Sequence, residues 1–215
     1  MASWELTLRR KPFGDPSEVH ARLVQVLATL PAPWRLADPP RIGPKDPTAT
    51  TTLRGRLGNG IVAAATYRSR SEWHPDTADF DDVFVFTFDP AAVPLAPLGG
   101  LVLPALVPAL DAYRAGVADR GFLAREAPLL LEKRRHFGVD LDGRHGIHRL
   151  SPQSYYDAHL IDAELGLSPG EFAQRARGWV REFHHGVLVA MPLAPGRRGE
   201  FESSDEALRA LASVG

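Results

Sequence analysis

The sequence predicts an α+β fold: an antiparallel or mixed β-sheet with helices packed on it, formed as a single domain over residues 1–215. Three observations lead there. Runs with a period of two, the signature of a half-buried strand, occur near both ends of the chain and in its middle. Helix starts are marked by capping residues at Asp15 and Ser168. The strand and helix runs do not alternate regularly, which argues against a doubly wound parallel sheet.

In order, Trp4 to Arg9 alternates apolar and polar and reads as a strand. Asp15, Pro16 and Glu18 then open a helix whose stripe is Val19, Leu23, Val26, Leu27 and Leu30, stopped by Pro31 and Pro33. A Pro-rich surface loop is expected over 37–47. Strands at 50–56 and 61–68 flank Gly58, Asn59 and Gly60, where Asn and Gly tolerate positive φ, so they form a hairpin. After a polar stretch, 69–82, both faces of the strand Val83 to Phe88 are apolar, and a central strand covered on two sides is expected.

A connector over 91–100 leads to a second helix near 104–119, with the stripe Leu103, Leu106, Val107, Leu110, Tyr113 and Val117 and a stop at Gly121. A short helix over 126–137, a turn region over 138–146 and a short strand over 147–150 follow. Ser151 and Pro152 are read as opening a helix that Gly166 ends. Ser168 and Glu171 form a capping box for another helix. Strands at 179–183 and 187–191 join through His184, His185 and Gly186, with His185 taking the left-handed conformation. A basic loop at 195–199 precedes a final helix, 205–212, capped by Ser204.

Composition narrows the function. Apolar residues make up 44% and charged residues 24%, an ordinary globular balance. With 25 Lys plus Arg against 26 Asp plus Glu, the formal net charge of -1 provides no global field for a polyanion, so no nucleic-acid partner is expected. No apolar run spans a bilayer, because Pro94, Pro97, Pro104 and Pro108 break the longest candidate. The first ten residues carry charges where a signal peptide has its apolar core, so a cytoplasmic protein without a membrane partner is expected. Zero Cys removes disulfides, thiol nucleophiles and Cys metal sites.

Motifs for catalysis are sparse. His145 and His148 have a spacing that could ligate a metal with Asp140 or Asp142, but the third and fourth ligands are missing, and a polar turn is the simpler reading. His184 and His185 read as a turn. There is no phosphate loop, no nucleophile elbow and no His-Glu-x-x-His motif. No catalytic residue, metal or cofactor is therefore assigned. The segment that stands out carries Glu72, Trp73, Asp76, Asp79, Phe80, Asp81 and Asp82. Five carboxylates around two rings suit a mobile loop that engages a basic protein partner, with charge steering the approach and the rings anchoring it.

The segments Leu103 to Ala115, His148 to Asp157 and Phe183 to Val189, followed by a terminal helix, resemble bacterial immunity proteins that neutralise polymorphic or contact-delivered toxins. The resemblance covers 103–215. It implies a non-enzymatic cytoplasmic protein whose partner is a cognate toxin and which acts by occluding the toxin's active site. Two other classes stand beside it: a metal-dependent or His-based hydrolase or transferase, and a structural subunit of a bacterial assembly.

Overall fold

A computed structural model describes residues 3–36, 51–71, 74, 77–193 and 199–213, without the side chains of 51–53. The strands are β1 (Trp4–Arg10), β2 (Thr51–Arg56), β3 (Val62–Tyr67), β4 (Asp82–Phe88), β5 (Arg114–Asp119), β6 (Gln153–Asp157), β7 (Val180–Phe183) and β8 (Gly186–Ala190). They form one open sheet in the order β2-β3-β4-β1-β5-β6-β8-β7, antiparallel at every junction. The helices are α1 (Pro16–Thr29), α2 (Leu103–Leu110), α3 (Arg120–Phe137), α4 (Ala158–Leu165), α5 (Pro169–Arg175) and α6 (Glu200–Ser213). The α+β class expected from the sequence is the one observed.

The helices cover opposite faces of the sheet at its two ends. On one face Leu6, Leu8, Phe84, Phe86 and Val117 are buried with Val19, Leu23 and Leu27 of α1 and Leu106 and Val107 of α2. On the other, Tyr156, Val187 and Val189 are buried with Leu160 and Ile161 of α4, Phe172 of α5 and Leu208 of α6. Each such side chain removed from water contributes about 1.5–3 kcal/mol before chain entropy is subtracted.

Several caps act as their sequence suggests. Asp15 accepts from the Ser17 amide, and Ser168 and Glu171 complete a capping box on α5. Asn59 (φ 53°) and Gly60 (φ 74°) turn the β2–β3 connection.

Five expectations are corrected. The helix expected over 104–119 ends at Leu110, where Asp111 turns left-handed (φ 51°), and 114–119 is β5. Gly121 is not a stop: α3 starts at Arg120, with the Asp119 carboxylate accepting from the Phe122 amide at 2.9 Å. The helix expected from Ser151 is first a strand, β6, wedged between β5 and β8; α4 begins only after Asp157, which caps it. Residues 147–150 form no strand, because the carboxylates of Glu164 and Asp205 take the amides of Ile147 and Leu150. Ser204 is not a cap but lies inside α6, its hydroxyl donating to the Glu200 carbonyl at 2.8 Å.

β4 is central, yet among the described residues helices cover only one of its faces. Phe84, Phe86 and Phe88 are buried, whereas Val83, Val85 and Thr87 are only half-buried.

Candidate functional site

Of the acidic segment, Glu72, Trp73 and Asp76 lie outside the described residues. Thr77 caps a 3-10 turn at Ala78–Phe80 and accepts from the Asp79 amide. The Asp79 carboxylate pairs with Arg134 of α3, and that hydrogen bond holds its carboxyl below the usual range against a small opposing effect of burial. Phe80 is half-buried.

Asp81 and Asp82 are not loop residues exposed to solvent; both are fully buried. Asp82 accepts from Arg10 at 2.8 Å, from two nitrogens of Arg70 at 2.7 and 2.8 Å, and from the Arg68 amide at 3.0 Å. Asp81 accepts from Arg144 and from the Tyr113 hydroxyl. Burial pushes the Asp81 carboxyl up, with Arg144 and Tyr113 opposing. Charges without partners in low dielectric are costly, so once the chain drew these carboxylates inside it surrounded them with arginines. Their negative charge is spent within the molecule.

His145 and His148 do not converge. The His145 Nδ1 accepts from the Asp140 amide at 3.0 Å, while the His148 Nε2 meets Glu126 at 2.6 Å and its Nδ1 lies 3.4 Å from the Lys133 ammonium. Among the described residues, no group of three or more His, Asp or Glu is placed to hold a metal ion. In the β7–β8 turn the left-handed residue is His184 (φ 54°), one position before the residue expected.

Sequence reasoning missed a charged chain beneath α3. Glu126 accepts from His148 and, at 3.1 Å, from Arg149; Arg149 reaches Asp205 at 3.2 Å, and Arg209 joins Asp205 to Glu164. Burial would raise the Glu126 carboxyl, but the bonds from Arg149 and His148 outweigh it and hold it below its usual range. Beside this chain lies a cleft of about 180 Å³ between α3 and the sheet. Its floor is short-chained at Thr7, Gly116 and Ala118, and Phe122, Leu123 and Leu130 form the apolar wall.

The cleft opens onto a stretch of sheet that no described helix covers, with Val62 exposed and Ala64, Thr66, Val83, Val85 and Thr87 half-buried. Glu5, Thr7 and Arg9 of β1 stand opposite Thr87, Val85 and Val83 of β4, and these stand opposite Val62, Ala64 and Thr66 of β3. Arg56 and Arg54 of β2 face Val62 and Ala64 at the far side. Val62 is 41% exposed, and no described helix packs on this part of the face. The sequence did carry a signal for it. An apolar outer face on β4 is explained either by a second layer of the same chain or by a surface left for another molecule.

Fold and site together define an antiparallel α+β protein in which, among the described residues, no helix covers the β3–β4 part of one sheet face beside a long helix. No protein-family model matches the sequence, and no curated protein matches it. Among solved structures, the fold is similar to that of Pseudomonas aeruginosa T6SS protein PA0821, with a TM-score of 0.61 over 99% of this chain and 72% of that one at 13% identity. At that identity the likeness establishes a shared fold. Among the described residues, no helix is long and apolar enough to cross a membrane.

Proposed function

We propose that this chain is a non-enzymatic, cytoplasmic binding protein that neutralises a cognate bacterial toxin by covering its active site. The observation that carries the reading is the largely apolar face of β3 and β4 beside α3, which no described helix covers. A lone soluble domain rarely leaves a contiguous apolar ladder uncovered unless another molecule docks there. The likeness of fold to a T6SS protein supports a place in a toxin system.

The test is co-expression. The product of the gene adjacent to this one is produced in a bacterial host with and without this chain, while growth and co-elution are followed. Growth arrest relieved by this chain, together with a stable stoichiometric complex, is the expected result. A toxic neighbour whose effect and elution this chain leaves unchanged overturns the reading.

A further inference from the structure

From the flank of α3 and the sheet face that no described helix covers we infer the chemistry of the partner: an amphipathic helical segment, apolar on one side and acidic along the edge that meets β2, lying between α3 and β2. The inference rests on the binding function proposed above and adds to it which chemical surface is bound.

The groove is defined by α3. Arg120, Leu123, Ala127, Leu130 and Arg134 recur at alternating three- and four-residue steps and so share one stripe of the helix. The two ends of that stripe are pinned to the sheet side: Arg120 lies 3.9 Å from Glu5 of β1, and Arg134 pairs with Asp79 just before β4. The other stripe, Phe122, Glu126 and Lys133, turns to Phe201 of α6 and to His148 and Arg149. Leu123 and Leu130 therefore overlook the strands that no described helix covers, and Leu131 beside them is 48% exposed.

The dimensions select the occupant. From β1 to β2 there are three inter-strand spacings, about 14 Å in all. A helix with its side chains is about 10–12 Å across, so one helix fills the floor between the α3 flank and the arginines of β2. Helix-in-groove recognition uses such an apolar floor for affinity.

Charge selects the occupant's edges. Arg54 and Arg56 are exposed along the far rim, and neither forms an ion pair among the described residues. Arg120, 61% exposed, stands on the near rim, and among the described residues its ion-pair contact is a long one to Glu5 at 3.9 Å. The carboxylates of Asp81 and Asp82, which could have reversed this balance, are buried against arginines. The far rim is thus basic, whereas on the near rim Arg120 and Arg134 already face the carboxylates of Glu5 and Asp79, so complementarity calls for carboxylates on the partner edge that meets β2.

Two helical peptides with the same leucine stripe, one with Glu and one with Lys at the flanking positions, serve as probes. Each is titrated onto the intact protein at low and high salt. The Glu peptide is expected to bind roughly tenfold or more tightly than the Lys peptide, with an advantage that fades as salt rises. Arg54→Glu with Arg56→Glu should abolish that preference, and Val85→Arg should weaken both peptides. The arginines are exposed, so the charge-reversed protein should retain its unfolding temperature, which is measured alongside. Equal binding of the two peptides, preference for Lys, or binding of neither overturns the inference. So does a concentration-dependent dimer abolished by Val85→Arg, because the occupant would then be a second copy. Failure of this chain to protect against the neighbouring gene product removes the toxin reading without touching the peptide result. Protection without peptide preference removes the groove inference alone.

Discussion

Arg10 and Asp82 are directly opposed residues at the paired ends of β1 and β4, and their buried side chains meet at 2.8 Å. Arg10 also donates to the carbonyls of Leu110 and Phe13, so each of its three guanidinium nitrogens makes a hydrogen bond. Removing one partner of a buried pair leaves the other charge uncompensated. Asp82→Ala is therefore expected to cost about 3–5 kcal/mol in urea unfolding at neutral pH. Arg70→Ala should cost clearly less, because its side chain is 20% exposed and solvent can replace part of what is lost. Equal costs for the two variants would show that burial does not set the energetics here.

Glu126 gives a prediction in pH. Its carboxyl is held below the usual range, so the native state favours the charged form. Its contribution is present above the unfolded value, about 4.3, and fades as pH falls through the lower native value. Glu126→Gln should destabilise the protein at neutral pH, and the gap to wild type should close on acidification. A gap in unfolding free energy that is constant from neutral pH to about pH 3 would sink this account of the His148 and Arg149 bonds.

The β7–β8 turn separates two kinds of backbone demand. His184 is left-handed, a conformation Asn accepts well and a β-branched residue resists. His184→Asn should leave thermal stability within about 0.5 kcal/mol, and His184→Val should lower it by about 1–2 kcal/mol. Gly186 is constrained by space instead, since a Cβ there would overlap the Tyr156 carbonyl oxygen. Gly186→Ala should be the most damaging of the three by calorimetry, and a well-folded Gly186→Ala protein would disprove the close approach of β8 to β6.

The anchoring of α3 is unequal at its two ends. Phe122 stacks on Phe201 with ring centroids 5.2 Å apart, and Trp4 packs edge-on against Phe201 at 5.4 Å. Phe201→Ala should cost about 3 kcal/mol and speed amide exchange along the first turns of α3. The Arg134–Asp79 pair at the other end is half-exposed, so Asp79→Asn should change stability by less than about 1 kcal/mol. Exchange accelerated equally by both substitutions would contradict this asymmetry.

What could be read in the sequence depended on whether the signal was local. The Asp15 and Ser168 caps, the hairpin around Asn59 and the left-handed stop at Gly166 are settled by neighbouring atoms, and the structure has each where the residues implied. The Leu103 to Val117 stripe misled, since Ala115 and Val117 also satisfy a two-residue period and only the position beside β1 decided between helix and strand. Gln153 to Asp157 was misread for the same reason. Its two tyrosines are buried on opposite faces of the sheet, a demand that arises only between β5 and β8.

The candidate site divides the same way. The acidic segment was visible as composition, but the inward turn of Asp81 and Asp82 depends on Arg10, Arg70 and Arg144, which are distant in sequence and adjacent only after folding. By itself the sequence determined the α+β class, most strand and helix positions and the absence of thiol chemistry, because periodicity, capping and residue type act over a few residues. Only the tertiary structure decided which carboxylates are neutralised, that no described helix covers the outer face of β4, and that α3 lies beside it with arginines on its flank. Charge pairing and the covering of a sheet face are settled between elements far apart in the chain, and local sequence carries no record of which ones will meet.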